Sequence, residues 1–260
     1  ATLDGTATPE DRKFDLRLNM RSRDLATGIA EVDNLIRGTA TVAMDAANTQ
    51  DGLNIRTFDV QSAAVTATAE GTLQKQAGSV QFSANLDDLS RVTTALSGPL
   101  ALSGDVMRTA TGFKGQARLK GPKTSFADFA GTVEPDGDAD LTFDAAFAKL
   151  ERILPELAGA LTAKGSAKRT AGLWTLDADA AGPAGISTTL AGTFDETKGT
   201  ADIEAKGQIS LTVANGALSP NKIDGTANFD LALRGAPGID ALSGTITTSG
   251  TSMAIPSVLQ

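Results

Sequence analysis

The chain has 260 residues, 41% of them hydrophobic and 21% charged, with 27 glycines; this balance is too apolar for a disordered polymer and rich enough in turn formers for a large all-β unit. Its 31 acidic and 23 basic side chains leave a formal charge of −8, which excludes the clustered cationic footprint that nucleic acid or an anionic membrane surface requires. Without a single Cys or His, the chain can build neither a disulfide framework nor a zinc ribbon, a thiol nucleophile or a histidine-based triad.

No basic stretch followed by an apolar one opens the chain at Ala1-Thr2-Leu3-Asp4, so no signal peptide is read there. Gly5-Thr6 starts a first unit, and Phe14, Leu16 and Leu18 alternate with polar residues as in a half-buried strand. Ile29, Val32 and Ile36 change to helical spacing, and Gly38 stands where a helix C-cap is expected. The same order then returns. Gly71-Thr72 precedes the alternating Val80-Phe82-Ala84-Leu86, and a helix is predicted over 86–96 on Leu86, Leu89, Val92 and Leu96. A capping Gly98 and the strand Phe113-Gly115-Ala117-Leu119 follow. Gly131-Thr132 precedes Leu141-Phe143-Ala145-Phe147, a predicted helix over 147–157 on Phe147, Leu150, Ile153, Leu154 and Leu157, a capping Gly159, and the strand Trp174-Leu176-Ala178-Ala180. After Gly192-Thr193 the strand rhythm persists in Ile209-Leu211-Val213 and Phe229-Leu231-Leu233 without a helix-like insert. The closing run 241–260 is uncharged but too rich in Ser, Thr and Gly to read as a spanning helix.

At an offset of 61 residues Phe82 answers Phe143, Leu100 answers Leu161, and Arg108-Thr109 answers Arg169-Thr170. Phe113 likewise answers Trp174, Gly121-Pro122 answers Gly182-Pro183, and Gly131-Thr132 answers Gly192-Thr193. An earlier copy aligns at an offset of 60, with Gly38 answering Gly98 and Gly71-Thr72 answering Gly131-Thr132. These matches divide the chain into a partial unit over 1–37, units over 38–97, 98–158 and 159–206, and a divergent stretch over 207–260. The whole reads as one continuous repeat array and as a segment of a longer chain. Thin strands with small side chains cannot close a core within one unit, so stacking of copies is expected. The expected fold is mainly β: an elongated, repeating antiparallel β-groove with one short helix per repeat.

The apolar side of these strands has few bulky residues. Aromatics make up 4% of the chain, and Ala and Gly occupy many places where a closed core would need larger side chains to reach native density. No part of the repeat reads as a second, opposing apolar sheet. The side chains expected to line a trough are Val80, Phe82, Leu100, Leu102, Phe113, Leu119, Leu141, Phe143, Leu161, Trp174, Leu176, Ile209, Leu211, Val213, Phe229, Leu231 and Leu233.

The Gly-Thr starts, the Ala-rich alternating strands and the inserts LDDLSRVTTALSGPLALSG and FAKLERILPELAGALTAKGS resemble the TamB family (translocation and assembly module), a branch of the AsmA-like superfamily of Gram-negative bacteria. KIDGTANFDLALRGAPGIDALSGTITTSG is similar to segments of α-proteobacterial members. The resemblance implies a periplasmic, inner-membrane-anchored protein whose β-groove, folded like a taco shell, bridges the envelope and carries phospholipid towards the outer membrane. It also implies a link to outer-membrane protein assembly through a barrel partner, TamA, engaged by regions outside this segment. Such a task suits a continuous apolar face. Moving an acyl chain of about 16 carbons through water exposes ~12 kcal/mol of hydrophobic surface, at ~0.8 kcal/mol per methylene.

Other chemistries are weaker. Asp136-Gly137-Asp138-Ala139-Asp140 resembles the start of a calcium loop, but Leu141 stands where that loop needs Gly and Phe147 where it needs Glu, so a solvated turn is expected. The scattered glycines form no phosphate-binding or nucleophile-elbow motif. Asp87-Asp88 and Glu151 with Glu156 read as solvated faces rather than acid-base pairs. No enzyme activity, cofactor or metal is expected. The alternative is a structural β-solenoid or adhesin-type passenger with a solid interior.

Overall fold

A computed structural model describes residues 1–8, 13–24, 28, 30–93, 96–149 and 158–255. The chain divides into two units, Ala1–Pro135 and Asp136–Gln260. The first holds β1 (Thr2–Thr8), β2 (Lys13–Arg23), β3 (Thr39–Thr49), β4 (Gly52–Gln61), β5 (Val65–Gln74), β6 (Ser79–Leu86), β7 (Leu100–Arg108), β8 (Phe113–Lys120) and β9 (Phe126–Val133). The second holds β10 (Ala139–Phe147), β11 (Leu161–Thr170), β12 (Leu173–Ala181), β13 (Ser187–Asp195), β14 (Thr200–Ser210), β15 (Lys222–Gly235) and β16 (Leu242–Ala254). In each unit the strands pair antiparallel with their chain neighbours, in sequence order, and the sheet does not close on itself. The described fold is therefore mainly β.

Because every strand reverses the last, alternate connections emerge at the same end of a unit's sheet. In the first unit one end carries the connections 24–38, 62–64, 87–99 and 121–125, and the other carries hairpins such as 75–78 and 109–112. The second unit repeats this, with 148–160, 182–186 and 211–221 at one end and 171–172 and 196–199 at the other.

Among the described residues helical structure is sparser than the spacing predicts. A helix does form after β2, as α1 (Ala30–Ile36), with Gly38 two residues beyond it at φ 82°; Ile29 lies outside the described residues. Among the described residues of 86–96 the expected helix shrinks to one 3₁₀ turn, Leu89–Arg91, and Leu86 belongs to β6. Asp88 closes this loop by accepting from the Ser90 N–H at 2.9 Å and the Gly98 N–H at 2.8 Å. Val92 and Thr93, both β-branched, continue a helix poorly. Gly98 is accordingly not a helix cap: it faces the Pro122 ring, and a Cβ placed on it would lie 3.0 Å from the Pro122 Cβ. Of the predicted helix 147–157, Phe147 ends β10, and Leu150, Ile153, Leu154 and Leu157 lie outside the described residues. After β14 the chain forms a 3₁₀ turn, Leu211–Ala214, and a single turn of helix, α2 (Asn215–Leu218).

Two of the Gly-Thr pairs have a steric cause for their glycine, and both lie within strands. Gly71 and Gly192 sit inside strands at φ 132° and 153°, and a Cβ at either would lie 2.1 Å from a carbonyl oxygen of the adjacent strand, Ser79 or Asp202. Only glycine fits such a site.

Candidate functional site

Register fixes which side chains share a face. In β6–β8, Phe82 pairs with Gly104 and Gly104 with Ala117, while Leu102 pairs with both Ala84 and Leu119. Val80, Phe82, Leu100, Leu102, Phe113 and Leu119 therefore lie on one side. That side continues through Phe129 and Val133 on β9 and back through Ala67 and Ala69 on β5 to Phe58 and Val60 on β4. It then runs through Val42 and Met44 on β3 to Leu18 and Met20 on β2. The other side carries Asp15, Arg17, Asp45, Glu70, Gln81, Asp105, Gln116 and Arg118.

In the second unit Phe143 pairs with Gly165, Gly165 with Ala178, Leu161 with Phe147, and Trp174 with Phe194. Ile203 pairs with Leu233, Ala205 with Leu231, Gly207 with Phe229 and Ile209 with Ala227. Leu141, Phe143, Leu161, Trp174, Leu176, Ile209, Phe229, Leu231 and Leu233 thus share one side with Leu190 and Ile203. Leu211 and Val213 do not extend this row: β14 ends at Ser210, whose hydroxyl accepts from the Thr212 N–H at 3.2 Å, so both fall on the 3₁₀ turn. A serine able to cap a turn ends the strand there.

The apolar side is covered thinly. Among the described residues no large side chain is fully buried, and the buried apolar set is mostly alanine, with Val80 and Leu89 the larger members. Phe129 is 53% exposed and Ile246, opposite Phe229 on β16, is 65% exposed. Rings lie down on the sheet instead of entering a second layer: a Cβ on Gly104 would meet the Phe82 Cζ at 2.6 Å, and one on Gly207 would meet the Phe229 Cζ at 2.7 Å. The glycine leaves the hollow into which the neighbouring ring folds.

Charge is held away from this face. Asp45 accepts from the Arg17 Nη2 at 2.7 Å and is paired with Arg56, which also donates to Asp15 at 2.6 Å. The Arg56 and Arg17 guanidinium groups hold the Asp45 carboxyl below the usual carboxylate range. Arg118 does the same to Asp128. The metal-like Asp136–Asp140 stretch is a turn in which Asp136 accepts from the Asp138 N–H at 3.0 Å and Asp138 accepts from the Ala171 N–H at 2.8 Å.

Two arginines break the separation, both at a hairpin end and both on the apolar side. Arg169, opposite Trp174, is clamped: its Nε donates to Glu196 at 3.2 Å, its Nη2 reaches the other oxygen of that carboxylate, and Asp138 stands 3.6 Å away. The Trp174 indole N–H donates to Glu196 at 3.1 Å. Arg169 and then Trp174 hold the Glu196 carboxyl below its ordinary value. Arg108, opposite Phe113, lies 4.5 Å over that ring and donates from Nε to the Lys75 carbonyl at 3.1 Å. Among the described residues it forms no ion pair.

The sequence missed the β3 and β4 part of the face. Leu53 and Ile55 are odd-numbered whereas Phe58 and Val60 are even, because a bulge at Arg56-Thr57 shifts the register against both neighbouring strands. Such an insertion defeats any strict period of two, and the only signal was the apolar pair resuming one residue late. Among the described residues no helix is long and apolar enough to cross a membrane. Comparison with protein-family models, curated proteins and solved structures finds no match.

Proposed function

We propose that each unit forms a curled β-groove whose apolar side carries acyl chains, and that the chain is a repeat-built, TamB-like segment of a periplasmic bridge conducting phospholipid between the inner and outer membranes. The same reading has the protein anchored in the inner membrane, engaged with a TamA-like barrel and linked to outer-membrane protein assembly. The observation that carries this reading is an apolar face, continuous through each unit's strands, on which no large side chain is fully buried. A face of this kind lets a methylene chain exchange one contact for an equivalent one, which isolated pockets do not. The repeat is supported by β6, β7, β8 and β9 starting at 79, 100, 113 and 126 while β10, β11, β12 and β13 start at 139, 161, 173 and 187.

The test is lipid capture by the full chain and by Phe143→Arg. Wild type is expected to retain phospholipid through purification, seen by native mass spectrometry, and the variant is expected to lose it while its stability changes by less than about 1 kcal/mol, as at an uncovered surface. In a solid core the same arginine would cost more than about 3 kcal/mol. That outcome, with no lipid recovered, would replace this reading with the solid-cored structural passenger.

A further inference from the structure

We infer that Arg108 is an anion-binding residue that holds the phosphate of an amphiphile whose chain lies along the adjoining apolar strip; this rests on the lipid-carrying reading above. The observation is a difference between two corners that are otherwise alike. Arg108 faces Phe113 across the β7–β8 hairpin as Arg169 faces Trp174 across the β11–β12 hairpin. In the second corner Glu196 takes the Nε and Nη2 donors and Asp138 stands 3.6 Å from Nη1, so the guanidinium charge is neutralised. At the same 61-residue offset the first corner has Pro135 where Glu196 stands and Ala77 where Asp138 stands.

Both of the clamp's carboxylates are therefore missing, and Arg108 is oriented without being neutralised. Its plane is set by the Phe113 ring at 4.5 Å and by Nε bonding to the Lys75 carbonyl at 3.1 Å. This arrangement uses the ring quadrupole and a neutral acceptor, so the positive charge and the two Nη groups remain for an oxyanion, which guanidinium binds in bidentate fashion. Position decides the ligand class. Arg108 ends β7 on the apolar side, and the strand behind it leads through Val106, Gly104 and Leu102 to Leu100, about 26 Å of strip at ~3.3 Å per residue. A group that satisfies both parts has an anionic head and an extended alkyl tail.

The probes are dodecyl phosphate, a neutral dodecyl ether of the same chain length, and inorganic phosphate, each titrated onto the full chain below the micellar range. Arg108→Gln is expected to weaken dodecyl phosphate about five- to tenfold and the neutral ether less than about twofold, with Arg108→Lys intermediate. The double variant Ala77→Asp/Pro135→Glu keeps Arg108 but rebuilds the second corner's clamp at two exposed positions, and it is expected to show the same selective loss. Equal affinity of wild type and both variants for dodecyl phosphate would overturn the proposal while leaving the lipid-carrying face intact. Inorganic phosphate binding as tightly as dodecyl phosphate would overturn it too, since the tail would then contribute nothing. Failure of wild type to bind either amphiphile would remove the reading beneath it.

Discussion

The stretches 98–135 and 159–196 use the same parts and reach different electrostatic ends. In both, a glycine rests against a proline ring, Gly98 on Pro122 and Gly159 on Pro183. In both, a turn follows in which the residue after the Gly-Pro pair takes a positive φ, 61° at Lys123 and 55° at Ala184, and the N–H of Gly121 or Gly182 donates at 2.8 Å to Ser125 or Ile186. The turn geometry is set by backbone bonds and sterics, so its side chains are free to differ. The hairpin corners are set by side-chain charge, and there two substitutions suffice to turn a closed ion-pair clamp into an open guanidinium. Backbone rules thus set the frame that the two stretches share, and a few exposed positions set the charge at each corner.

The largest expected break in this comparison is Gly192→Ala. The residue would carry φ 153° and a Cβ 2.1 Å from the Asp202 carbonyl oxygen, so a loss of ~3 kcal/mol or more is expected in urea titration followed by circular dichroism. A loss below about 1 kcal/mol would show that the second stretch does not depend on the glycine conformation at 192. A smaller and sharper change is Glu196→Gln, which makes the second corner resemble the first. Glu196 has a depressed pKa through Arg169 and Trp174, so its contribution is fully present above the unfolded glutamate value of ~4.3 and disappears as pH falls through the lower folded value. Wild type and Glu196→Gln are therefore expected to differ in melting temperature at neutral pH and to converge in acid. A constant gap across that range would mean that the clamp acts by shape alone. The same variant is expected to give Arg169 a measurable affinity for dodecyl phosphate.

Much of this architecture was legible in the chain. Alternation placed Phe82, Phe113, Phe143, Trp174 and Phe229 on strands, and the register puts each on its unit's apolar side. Two kinds of information were not legible. Apolar spacing over 86–96 mimics an amphipathic helix, but the loop is decided by Asp88 binding the N–H groups of Ser90 and Gly98, a closure across ten residues that periodicity does not register. Alternation through Ile209, Leu211 and Val213 likewise continues past the strand because Ser210 can cap a turn as easily as it can extend one. The lack of an ion pair at Arg108 was out of reach for another reason: the positions answering the second corner's carboxylates, Ala77 and Pro135, follow β5 and β9, and only the strand order brings those ends to the same sheet end as Arg108.

The most direct measurement uses the absence of cysteine. Phe143→Cys gives the full chain a single thiol on the apolar side of β10, midway along the first strand of the second unit, to be labelled with a water-soluble maleimide under native conditions. Labelling is expected within minutes in delipidated protein, at a rate close to that of an outward control at Thr142→Cys, and suppression is expected when dodecyl phosphate is added. A thiol at 143 that stays unreactive until the protein is denatured, with or without amphiphile, would mean that the face is sealed by protein and that no acyl chain travels along it.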